Sequence, residues 1–60
     1  MTYLNDIRAA AADCVQAYYE GGFTVAETLQ LKMADAISRK WGECPMDACD
    51  DISAQVELQI

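Results

Sequence analysis

The sequence predicts an all-α fold: an antiparallel helical hairpin followed by a short C-terminal helix or an extended tail. Three observations lead there. Apolar residues recur at spacings of three and four between Thr2 and Tyr19, and again between Thr24 and Trp41, the period of a helix with one buried face. Gly21-Gly22 separates the two stretches, and Gly42 with Pro45 closes the second; both are places where helices stop. The link between the stretches is too short for anything but a turn, so the helices fold back on each other.

The first helix is expected over about residues 3–20, capped by Thr2 or Asn5. The alanine run Ala9 to Ala12 has the highest helix propensity. Leu4, Ile7, Ala11, Cys14, Val15 and Tyr18 form its apolar stripe, and the small residues beside Ala11 let a neighbouring helix come close.

The second helix is expected over about residues 25–41. Thr24 and Glu27 have the spacing of a capping box, and Phe23 stands where a hydrophobic staple would pin the entry. Val25, Ala26, Leu29, Met33, Ala36, Ile37 and the stem of Lys40 fall on one face. Leu31 falls on the other, beside Ser38, and a large apolar residue there suggests a partner. Arg39 and Lys40 suit the negative end of the helix dipole.

The last segment, about residues 47–60, reads two ways. As a helix it has Asp47 as cap, Asp50 and Asp51 in the first turn, and Cys49, Ile52 and Val56 at helical spacing. As a strand, Ser53 to Ile60 alternates apolar and polar residues without a break. A lone strand needs a partner edge in a second subunit or another protein. Local propensity favours the helix.

Sixty residues make one small domain. A chain of this size buries only about 60% of the surface it exposes when unfolded, so disulfides, a metal or oligomerisation usually add stability. The apolar share of 53% exceeds what one small core needs and suggests a homodimer. The net charge is −6, and the five acids from Glu43 onward (Glu43, Asp47, Asp50, Asp51, Glu57) face no base in that segment. Direct nucleic-acid binding is disfavoured, since it rests on Lys and Arg neutralising phosphate. A basic protein surface is the better match. No apolar run is long enough to span a membrane, and the N-terminus does not read as a leader, so a cytoplasmic location is expected.

The chemistry is sparse. Histidine is absent, and Ser38 and Ser53 have no catalytic motif around them, so no enzymatic activity is expected. Cys44 and Cys49, with four residues between them and only Cys14 elsewhere, form an incomplete metal-ligand set. No cofactor or metal is therefore expected. A metal- or thiol-stabilised structural module using Cys44 and Cys49 is the alternative function. The preferred function is a small acidic protein-binding module. Size, acidity and the lack of catalytic groups fit the general run of small phage or mobile-element inhibitors and adaptors that occlude a host protein. Tyr19, Leu31 and Trp41 are the candidate anchors, ringed by Asp47, Asp50 and Asp51.

Overall fold

The computed structural model describes residues 2–60. It has three helices, α1 (Tyr3–Gly21), α2 (Phe23–Trp41) and α3 (Pro45–Gln59), each packed on the other two. No strand occurs among the described residues.

Thr2 caps α1 as expected. Its backbone is extended and its hydroxyl accepts from the amide of Asn5 at 3.2 Å. The turn that follows is tighter than the sequence suggested. Gly22, at φ 88°, donates its N–H to Tyr18 O and accepts at its own carbonyl from the amide of Ala26. One residue thus ends α1 and starts α2, a conformation that only glycine adopts without strain. Because Gly22 already accepts the first bond of α2, the helix begins at Phe23 and the Thr24–Glu27 capping box does not form. Thr24 lies inside the helix, where its carbonyl accepts from the Thr28 hydroxyl at 2.9 Å. Phe23 is the first residue of α2 rather than a staple, and it is exposed.

Gly42 ends α2 in the left-handed conformation, φ 70°, and its N–H and that of Glu43 both turn back to Ser38 O. Pro45 then occupies the first turn of α3, where its missing N–H costs nothing. The third helix therefore starts ahead of Asp47, and the amide of Ala48 bonds Cys44 O. It continues to Gln59, with Ile60 N–H on Val56 O. The strand alternative for residues 53–60 is overturned: within a helical fold it would leave its backbone unpaired, whereas the helix seats Ala48 and Ile52 in the core.

The core comprises Ile7, Ala10, Ala11 and Cys14 of α1, Ala34 and Ile37 of α2, and Ala48 and Ile52 of α3. Four of those eight are alanines, so the helices approach closely and the core is thin. Ile7 and Ile52 are the largest side chains wholly inside it. The stripe read for α1 holds in its middle and fails at its ends, since Leu4 and Tyr18 are exposed. On α2 the expected face supplies Ile37, with Leu29 and Met33 against the core, but Val25 is exposed. Its supposed back is partly buried as well. Ala34 and Ser38 are buried there, and the Ser38 hydroxyl donates to Asp35 O at 2.7 Å. Ala34 and Ser38 continue the row of Gln30, which reaches α3, so this row faces the third helix.

A few contacts join the helices. Asp6 in the first turn of α1 meets Lys40 and Trp41 at the end of α2. Tyr3 meets Asp51, and Arg8 O accepts from the Gln59 side chain, which ties α3 to α1.

Candidate functional site

The molecule has two distinct ends. At the first, Asp6 is the hub. One of its oxygens accepts from the Trp41 indole N–H at 2.8 Å and from Lys40 Nζ at 3.0 Å. These two bonds hold the Asp6 carboxyl below its ordinary pKa, the Trp41 bond contributing most. Lys40 also lies 5.4 Å from the centre of the Trp41 ring. Tyr3 meets Trp41 edge to face with centroids 6.3 Å apart, and its hydroxyl donates to Asp51 at 2.7 Å. Desolvation, aided by Asp51, pushes the Tyr3 phenol from 10.0 to about 12. This cluster ties the start of α1 and the middle of α3 to the end of α2. Trp41 is half-buried against the core and covers its end.

At the other end the helices part. Val15 and Tyr18 of α1, Phe23, Ala26 and Leu31 of α2, and Val56 and Ile60 near the end of α3 line a groove of about 410 Å³, with Cys14 and Cys49 also in its lining. Phe23 is 69% and Ile60 76% exposed, large for apolar side chains gathered at one place. Gln30 braces one wall: its side-chain nitrogen donates to Cys49 O at 2.9 Å and Ser53 Oγ at 2.6 Å, with Cys49 Sγ at 3.3 Å. Glu27 is the acid in the lining. The short turn at Gly22 brings the end of α1 to the start of α2, so Tyr18 and Phe23 both reach the groove lining.

The six candidate residues are spread along the molecule. Leu31 lines the groove. Tyr19 is exposed beside it, edge to face with Tyr18 at 5.8 Å. Trp41 lies ten residues further along α2 from Leu31, about 15 Å at helical rise. Asp47, Asp50 and Asp51 are exposed on the first half of α3, Asp51 being held by Tyr3. Sequence reasoning missed Phe23, Val56 and Ile60 as groove residues. Val56 and Ile60 belong to the alternating apolar set of the tail and, four residues apart, fall on one face once the tail is helical, whereas Leu58 of that set is exposed outside the lining.

The three cysteines are free thiols. Burial raises the pKa of Cys14. Cys44 is exposed at the start of α3, while Cys49 faces Gln30. Among the described residues no three Cys, His, Asp or Glu side chains are grouped so as to hold a metal ion. No described helix is long and apolar enough to cross a membrane. Comparison with protein-family models, curated proteins and solved structures found no match.

Proposed function

We propose that this chain is a non-enzymatic protein-binding module, of the kind used by phages and mobile elements as inhibitors or adaptors, and that it acts by covering a basic surface of a protein partner. The observation that carries this reading is the groove: a concave apolar surface with Tyr18, Phe23, Leu31 and Ile60 exposed around it in a chain of net charge −6. Leu31 and Tyr19 are the anchors retained from the sequence, now joined by Phe23. A homodimer closing over Leu31 is the competing occupant of the same surface.

Photo-reactive phenylalanine analogues at Phe23 and Leu31, with Ala9 of α1, exposed and outside this groove, as control, test the reading in the native host. A discrete protein adduct formed from the first two positions and not from Ala9 is expected. Adducts formed equally from all three, or from none, would remove the groove as a protein-binding surface. Adducts with the chain itself would replace the reading by a homodimer.

A further inference from the structure

We infer that the groove receives an amphipathic α-helix with basic flanks, supplied by a protein other than this chain; the inference rests on the protein-binding reading above. Three features of the groove lead to it. Its lining positions recur at helical spacing on each wall. On α3 they are Cys49, Ser53, Val56 and Ile60, a row of eleven residues' separation, about 16 Å long. On α2, Phe23, Ala26, Glu27, Gln30 and Leu31 run along the opposite wall. Such a trough between helices matches the seam a further helix fills in a bundle, with anchors at i, i+3 or i+4 and i+7.

Backbone hydrogen bonding argues against an extended segment. The walls are helical and offer no sheet edge, so a strand entering the groove would leave its own amides and carbonyls unpaired in apolar surroundings. The groove's amide side chain, Gln30, already donates to α3. A helix brings its backbone bonds with it.

Charge sets the flanks. Glu27 lies in the wall itself, and Asp13, Glu20, Asp50 and Glu57 are exposed on the same three helices, in a chain of net charge −6. Against them stand four bases: Lys32, next to Leu31 in the chain, Arg8 of α1, whose backbone oxygen accepts from the Gln59 side chain, and Arg39 and Lys40 at the far end of α2, paired with Asp35 and Asp6. A second copy would bring the same acids to its own groove, and like charges brought together at an interface are costly. A helix with Lys or Arg on its polar face brings the complement.

The test uses the full chain, labelled for amide NMR, and three peptides of about fifteen residues. One carries leucine at helical spacing with lysine elsewhere, the second is its scrambled isomer, and the third replaces lysine with glutamate. The patterned basic peptide should shift the amides of Val15, Tyr18, Phe23, Leu31, Val56 and Ile60. It should bind at least about tenfold more tightly than the other two and weaken with salt. Phe23→Ala and Leu31→Ala, both at exposed positions, should each weaken it severalfold with unchanged helical circular dichroism. Equal binding of the scrambled isomer, shifts centred on Asp47, Asp50 and Asp51, or concentration-dependent self-association through the groove would each overturn the inference. Peptide failure alongside a groove-specific protein adduct would remove the helix and leave the protein-binding reading. Loss of the adduct as well would remove both.

Discussion

Replacing Ile52 with alanine tests how α3 is held. Ile52 is wholly buried and is one of the two largest side chains inside the core. The substitution removes three carbons, and at about 0.8 kcal/mol for each buried CH₂ the transfer loss alone is about 2.4 kcal/mol. The space left behind adds to that, because the alanines around it, Ala10, Ala11, Ala34 and Ala48, have no side-chain length with which to fill it. A total of about 3–4 kcal/mol is expected, inside the range seen for Ile→Ala in cores. A domain of sixty residues has only about 3–9 kcal/mol of stability, so Ile52→Ala should lose much of its folded population or all of it. Urea titration followed by Trp41 fluorescence measures this directly, since the chain has one tryptophan. That tryptophan lies against the core. Leu58→Ala is the control: Leu58 is 78% exposed on the same helix, and its loss should cost within about 0.5 kcal/mol. If Ile52→Ala were as mild as the control, α3 would not be docked through this face, and the groove that α3 helps to build would lose its wall.

Acid should weaken the fold in part through Asp6. Its carboxyl has a lower pKa folded than its ordinary 3.8, so the stability it contributes is present above 3.8 and is lost as pH falls through the folded value. Trp41→Phe removes the largest cause of that shift; urea midpoints of the variant should therefore fall less steeply than those of the parent over this acid range, and parallel curves would contradict the role given to the indole. Gly42→Ala places a side chain in open space but at φ 70°, so strain rather than a clash should destabilise the protein by about 1 kcal/mol in thermal or urea unfolding; an unchanged midpoint would show that the turn relaxes.

The first two helices were legible because their signals are local. Period, capping by Thr2 and the stops at Gly22 and Gly42 depend on neighbours a few residues away, and they placed α1 and α2 within a residue or two. The Thr24–Glu27 box misled because a capping pattern is available only if the preceding residue leaves the first amides free, and Gly22 had already begun the helix. The tail could not be decided locally, since Ala54, Val56, Leu58 and Ile60 satisfy a period of two while Cys49, Ile52 and Val56 satisfy one face of a helix.

By itself, then, the sequence determined that this chain is helical, acidic and lacking the usual catalytic constellation, and it marked Leu31 and Tyr19 as exposed apolar side chains. Only the tertiary structure decided that α2 is buried on two sides, that Trp41 belongs with Asp6 and Tyr3, and that Phe23, Leu31, Val56 and Ile60 meet in one groove. The reason is physical. Helical periodicity states which residues share a face of one helix, but which faces meet, and which remain open, depends on contacts between residues distant in the chain.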